Sequence, residues 1–138
     1  MTIPTRAASA ASLGFLAFAG LITLTETASA RPADCLMVVN GRNFIDGKCD
    51  FDPSPDGSFQ VRNFDPNSGK VFKLGAKESF AYVNTLRPGV ADASWNGANF
   101  ASHAQDPLGE LKREGACWVN AKARICAWGV GQRPQNAQ

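Results

Sequence analysis

The sequence predicts an all-β domain, or a mainly β one with a single short helix. The expected architecture is a small antiparallel β-sandwich or partly open barrel with two disulfides. Three observations point there. Turn signals recur along the chain, among them Asn40-Gly41, Asp46-Gly47, Asp65-Pro66-Asn67-Ser68 and Pro88-Gly89, and they mark off six or seven short strands. Between several of these turns apolar and polar residues alternate, the two-residue period of a strand with one buried face. Finally, the four cysteines Cys35, Cys49, Cys117 and Cys126 are an even set in a short chain, which reads as a disulfide framework.

The N-terminus, MTIPTRAASAASLGFLAFAGLITLTETASA, carries one basic residue, Arg6, before an apolar run from Leu13 to about Leu24, and it ends Ala28-Ser29-Ala30. That is the anatomy of a secretory signal, with cleavage expected before Arg31. The run is shorter than the roughly 20 residues a membrane span needs, so an uncleaved anchor is the weaker reading. Cys35 follows Pro32-Ala33-Asp34 rather than small or apolar residues, which argues against a lipid anchor. The expected organisation is a signal over 1–30, one domain over 31–130 and a polar, flexible tail over 131–138, with a periplasmic or secreted location and no membrane span after cleavage.

Arg6 and Glu26 are the only charges in the signal, so the mature net charge stays at the +2 of the whole chain. So small an excess provides no electrostatic footprint for nucleic acid or for an acidic membrane.

CLMVVNGRNFIDGKC, Cys35 to Cys49, reads as a hairpin. Asn40-Gly41 suits a type I′ turn, in which both central residues need positive φ. The implied register sets Met37 opposite Phe44 and Leu36 opposite Ile45, with apolar residues on both faces. DFDPSPDG, from Asp50 to Gly57, has no periodicity and reads as a loop. A second hairpin, SFQVRNFDPNSGKVFKL, places Val61 opposite Phe72 and Phe59 opposite Leu74, with Gln60 and Lys73 on the polar face. A further strand covers 79–84.

The stretch 90–108 is Ala- and Asn-rich and lacks β-branched residues after Val90. It predicts a short helix or an ordered loop, and Asp106 before Pro107 resembles a helix N-cap followed by Pro at the first helical position. GELKREG, which follows, is too short for a confident helix and also reads as a strand.

The last hairpin is GACWVNAKARICAW. A two-residue turn at Ala121-Lys122 sets Val119 opposite Arg124, Trp118 opposite Ile125 and Cys117 opposite Cys126. In that register the cysteines form a non-hydrogen-bonded pair with Cα atoms ~4.5 Å apart, within disulfide reach. Closing the loop would contribute about 2.7 kcal/mol on the chain-entropy account. Ala-Lys is, however, a poor type I′ turn. A Cys117–Cys126 bond leaves Cys35 to pair with Cys49.

Candidate chemistry is sparse. Spacings of 14, 68 and 9 between successive cysteines, with one histidine, disfavour zinc, and no C-x-x-C redox motif is present. Asp50, Asp52, Ser54 and Asp56 invite a calcium reading, but the sixth and twelfth positions of that loop hold Pro55 and Val61 rather than Gly and Glu. A solvated turn explains the loop equally simply. His103 could pair with Asp106 or Asp92 and a serine such as Ser94 or Ser102; the spacing matches no specific motif. The expectation is therefore no catalytic set, no metal and no cofactor.

For binding, Trp95 and Asn96 sit in a polar S-W-N-G context, where an exposed indole would offer a large contact area; core packing is the commoner fate of Trp. Arg62, Lys70, Lys73 and Lys77 run along one hairpin and its exit, either as a solvated face or as a site for an acidic or anionic partner. The candidate binding residues are Trp95, Asn96, His103, Arg62 and Lys73.

Size, export, β-architecture and disulfides together resemble the general style of periplasmic lysozyme inhibitors. Ala93-Ser94-Trp95-Asn96-Gly97 is the nearest approach to their loops and carries no residue over. The resulting expectation is a small exported binding or inhibitory module acting on an envelope or host protein. The alternatives are a secreted hydrolase of cell-wall or other polysaccharide, and a structural envelope protein without a discrete site.

Overall fold

The computed structural model describes residues 29–72 and 76–138. The predicted signal lies outside these residues except for Ser29 and Ala30, and so do Lys73 and Leu74. The strands are β1 Arg31–Val39, β2 Arg42–Pro53, β3 Phe59–Arg62, β4 Phe64–Asp65, β5 Lys70–Val71, β6 Phe80–Arg87, β7 Val90–Trp95, β8 Asp106–Glu114, β9 Cys117–Val119 and β10 Ala123–Trp128. Eight of them close into an antiparallel barrel in the order β1-β10-β9-β8-β7-β6-β3-β2, and β2 pairs back onto β1. β4 and β5 form a separate small hairpin. The choice between sandwich and barrel thus resolves to a closed barrel, which leaves its eight strands no free edge.

Alternate residues of each strand fill the interior. β1 sends in Ala33, Cys35, Met37 and Val39; β3 sends Phe59 and Val61; β6 sends Ala81 and Val83; β7 sends Ala91, Ala93 and Trp95. Trp95 and Trp118 are the bulkiest interior residues, and the alanines of β1, β6, β7 and β10 leave the volume they need. This explains why β7 is hard to see in the sequence. Its inward residues are alanines, poor strand formers by propensity, chosen here by the space left inside the barrel.

Both disulfides form, Cys35–Cys49 and Cys117–Cys126, and no described cysteine is free. They lie on opposite faces of the wall. Cys35 and Cys49 belong to the interior cluster. Cys117 and Cys126 pack outside it with Leu36, Val38, Val119 and Trp128. Two such bonds fit an oxidising, exported environment. Among the described residues no helix is long and apolar enough to cross a membrane.

Several sequence expectations need correction. Asp46-Gly47 does not turn the chain and Asp50–Pro53 is not loop, because β2 runs unbroken from Arg42 to Pro53 between β1 and β3. In the first hairpin the turn is as read, with Asn40 at φ 50° and Gly41 at 77°. Val39 then faces Arg42 and Val38 faces Asn43, but Met37 faces Ile45, because Phe44 bulges out of the ladder. The bulge lets Ile45 enter the interior while the Phe44 ring packs at the rim. In the second hairpin, Asp65 pairs with Lys70 and Phe64 with Val71. β3 instead joins β2 and β6, so Val61 faces Phe51 and Ala81 rather than Phe72. Finally, 90–108 holds β7, a loop and the start of β8, with no helix. Asp106-Pro107 opens a strand, which bulges at Leu108 next to Gly109 at φ +81°.

The last hairpin has the register read from the sequence: Val119 with Arg124, Trp118 with Ile125, Cys117 with Cys126. The Cα atoms of the cysteine pair are 4.0 Å apart. Its turn avoids the type I′ difficulty, because neither Ala121 nor Lys122 has positive φ. Asn120 does the work instead: its Oδ1 accepts from the backbone N–H groups of Lys122 at 2.9 Å and Ala123 at 2.7 Å. Its Nδ2 donates to the carbonyls of Leu108 and Glu110 on β8.

The segment read as a tail folds back along the barrel. The Gly131 N–H donates to Asp34 at 2.8 Å, and Arg133 reaches Asp46 at 2.6 Å with its guanidinium over the Trp128 ring.

Candidate functional site

The site is built at the corner where the chain approaches β6. Residues 77–79 belong to no strand and lead into Phe80, the first residue of β6, which pairs with Arg62 of β3. Asn63 and Asn96 bond this segment with their side chains as well as through their backbone N–H groups, which donate to the Ser79 and Phe80 carbonyls at 3.1 and 3.2 Å. Asn63, buried, accepts from the Ser79 N–H at 2.8 Å and donates to the Lys77 carbonyl at 2.9 Å. Asn96, 1% exposed, accepts from the Phe80 N–H at 3.0 Å and donates to the carbonyls of Glu78 at 2.9 Å and Ala101 at 3.1 Å. Successive backbone groups are therefore met from alternate sides, as in a sheet.

This stitching holds Lys77 beside Phe100. The Phe100 backbone is itself unusual: its φ is 55°, a left-handed conformation that a bulky residue adopts only when its surroundings impose it. The imposing contacts are on each side of it. The Phe100 N–H bonds to the Gly97 carbonyl at 3.1 Å and the Ala101 N–H to the Asn96 carbonyl at 3.0 Å. The strained residue turns its ring into an open cleft of about 870 Å³ between the corner and β2. A volume of that order falls within the range of about 300–1,000 Å³ typical of ligand sites.

The cleft combines rings and cations. Phe44, Phe72 and Phe100 supply the apolar part, with Phe44 and Phe100 centroids 6.4 Å apart. Arg42 lies over Phe44 at 5.2 Å, Lys77 lies over Phe100 at 5.3 Å, and Lys48 completes the basic lining. A smaller hollow shares Lys77 and Phe100 and is lined further by Tyr82, Phe80 and Ser102.

The candidates named from sequence fall into different places. Trp95 is 5% exposed and packs edge-on against Phe44 at 4.5 Å. It supports the cleft from beneath and presents no indole to solvent. Asn96 acts through backbone bonding. Arg62 lines the smaller hollow, but its charge meets Glu78 at 2.9 Å and its plane covers Phe64. His103 is exposed, with Nδ1 2.7 Å from the hydroxyl of Ser102, its neighbour in the chain, and no carboxylate hydrogen-bonds to it among the described residues. Lys73 lies outside the described residues. The Asp56 carboxylate is taken up by Ser58, and among the described residues no three His, Cys, Asp or Glu side chains converge as metal ligands.

Arg42, Phe44, Lys48 and Phe100 were not legible as a group. They come from β2 and from a loop more than fifty residues later, and the bulge that frees Phe44 has no local signal in the sequence. Lys77 alone carried one, as part of the basic stripe. The chain was compared with protein-family models, with curated proteins and with solved structures, and none of them matches it.

Proposed function

We propose that this protein is a small exported binding or inhibitory module acting on an envelope or host protein, and that the cleft between β2 and the 77–100 corner is its binding surface. The observation that carries the reading is the strained Phe100, held so that its ring and Lys77 face open space opposite Phe44 and Arg42. Backbone strain retained at a cleft marks the places where a fold holds a side chain for contact rather than for stability. Rings beside cations, partly desolvated and rimmed by polar groups, are the residue types that dominate binding energy at protein interfaces. The two disulfides support the exported setting, since cytoplasmic reductants would keep such thiols reduced.

The test compares the oxidised wild-type protein with the double variant Arg42→Glu/Lys77→Glu, both positions being exposed and outside the core. Immobilised wild type is expected to retain a defined protein from envelope or host extracts that the variant does not, and the purified pair is expected to bind in solution. Equal retention by both proteins would remove the cleft from consideration. Release of soluble sugar from a polysaccharide panel by the wild type would replace the reading with a hydrolytic one.

A further inference from the structure

We infer that the cleft takes an acidic protein segment: a side-chain carboxylate held among Arg42, Lys48 and Lys77, with an adjoining apolar side chain resting on Phe44 and Phe100. This deepens the proposed function and rests on it.

The polar groups that line the cleft are unequally engaged. Its acceptors are largely occupied. Asp46, the one carboxylate among the described lining residues, accepts from Asn43 Nδ2 at 3.1 Å through Oδ2 and from Arg133 at 2.6 Å through Oδ1. The Asn63 amide bonds the backbone at both ends, its oxygen accepting from Ser79 and its nitrogen donating to Lys77. Its charged donors are not occupied. The side chains of Arg42, Lys48 and Lys77 have no hydrogen bond and no ion pair among the described residues, whereas Arg62, Arg87, Arg124 and Arg133 each have a carboxylate within 4 Å. A guanidinium stacked on a ring keeps its in-plane N–H groups available for a carboxylate fork. The site therefore offers three cations with no ion pair among the described residues, set against an aromatic floor; the nearby carboxylates are Asp46, bonded to Arg133, and Asp65, whose pKa the Lys48 charge helps to lower.

The rest of the molecule narrows the ligand. The positive charge is local, because the whole chain carries only +2, and a nucleic acid needs many phosphate contacts along a basic stripe. The Phe44 and Phe100 rings are half-buried inside a concavity, where a flat bilayer cannot reach them. A protein segment with Asp or Glu beside an apolar residue matches both charge and shape.

Arg133 has a part in this selectivity. It comes from the C-terminal segment, does not line the cleft, and offsets the lining carboxylate that would repel an acidic ligand. It is a positioning residue for the charge of the site.

The experiment titrates isotope-labelled oxidised protein with acetyl-Glu-Phe-Glu-amide and with acetyl-Gln-Phe-Gln-amide, following backbone amide shifts. The acidic peptide is expected to move the amides of Arg42, Lys48, Lys77 and Phe100 and to bind at least about five-fold more tightly than its amide counterpart. Most of that difference should vanish at about 0.5 M salt, where the screening length falls to a few ångströms. Arg42→Gln and Lys77→Gln should each weaken the acidic peptide about two- to five-fold, the range of single exposed ion pairs. Arg133→Gln should weaken the acidic peptide while leaving the amide peptide unchanged.

Equal binding of the two peptides would overturn the acidic class and leave the cleft as a binding surface. A stronger response to inorganic phosphate, or to phosphatidylglycerol vesicles, would overturn it in favour of a phosphate-bearing ligand or a membrane. No response to any probe, with partner retention still lost in Arg42→Glu/Lys77→Glu, would retire the acidic class alone; with retention unchanged, both readings fail.

Discussion

Two regions of this barrel solve the same problem by different means. The wall formed by β9, β10, β1 and β2 is held by continuous ladders with a disulfide on each face, Cys35–Cys49 within and Cys117–Cys126 without. The corner at 77–80 joins a ladder only at Phe80, which pairs with Arg62, and is held by the side-chain amides of Asn63 and Asn96 together with their backbone N–H groups. The wall's bonds are covalent or repeated many times, so no single hydrogen bond matters much to it. The corner depends chiefly on two residues, Asn63 and Asn96, and it borders the cleft. Side-chain stitching leaves Lys77 exposed and Phe100 half-buried at the edge of the cleft. A paired strand there would have closed the site.

The sharpest way to break the comparison is to weaken the wall. Replacing Cys35 and Cys49 together by Ala removes a cross-link spanning 14 residues and two buried sulfurs from the core. The expected loss is about 3–5 kcal/mol, from loop entropy together with the cavity left behind. Urea unfolding of the variant with Cys117–Cys126 intact would measure it. A loss below about 1 kcal/mol would mean that the ladders alone hold the wall. That would undo the contrast.

Next in size is the corner. Asn96→Ala leaves the Phe80 N–H and the carbonyls of Glu78 and Ala101 without their partner in a buried setting. Unsatisfied buried groups cost about 1–3 kcal/mol each when water cannot replace the bond. A total near 3 kcal/mol is expected, with some relief from solvent entry. The location of the effect is more telling than its size. Hydrogen exchange should speed up at Phe80 and Ala101 while the amides of β1 and β10 keep their relative protection. Uniform loss of protection would show that wall and corner unfold as one unit, and that the cleft has no independent stability.

The same contrast separates what was legible in the sequence from what was not. Much of the wall was legible, because its signals are local, although the Phe44 bulge and the run of β2 through Asp46-Gly47 were not. Asn40-Gly41 marks its own turn, and the eight residues between Cys117 and Cys126 suffice to derive their pairing. The corner was not, because its bonds connect residues 14, 16 and 18 positions apart. An asparagine that stitches a strand reads in sequence like an asparagine in any loop. Trp95 shows the cost of that ambiguity. Its polar neighbours, Ser94 and Asn96, suggested exposure, yet Asn96 is itself buried and bonded, so polarity around Trp95 signalled a satisfied core rather than a surface. Asn120 was missed for the same reason, and its side chain is what allows Ala121-Lys122 to turn.

The smallest effect expected concerns carboxylates, and it too divides a turn from the wall. Asp56 lies in the β2–β3 turn, where hydrogen bonds from the Ser58 N–H and hydroxyl hold its pKa below the ordinary 3.8. Asp50 lies on β2, where burial raises its pKa above that value; Arg62 opposes the rise, and Asp52 and Asp65 add to it. The signs follow from linkage. A depressed pKa contributes stability that is present above the unfolded value and is lost as pH falls through the folded one. A raised pKa contributes stability that is complete below the unfolded value and is lost as pH rises through the folded one. At neutral pH, Asp56→Asn should therefore lower stability slightly and Asp50→Asn should raise it slightly. Both differences should disappear in acid, that of Asp50→Asn as pH drops below about 3.8 and that of Asp56→Asn only at still lower pH. Urea midpoints of the two variants and the wild type between pH 2 and 7 would show it. Midpoints that shift in the same direction at neutral pH would mean that the Arg62 charge outweighs the burial of Asp50, and that turn and wall carboxylates answer to the same force.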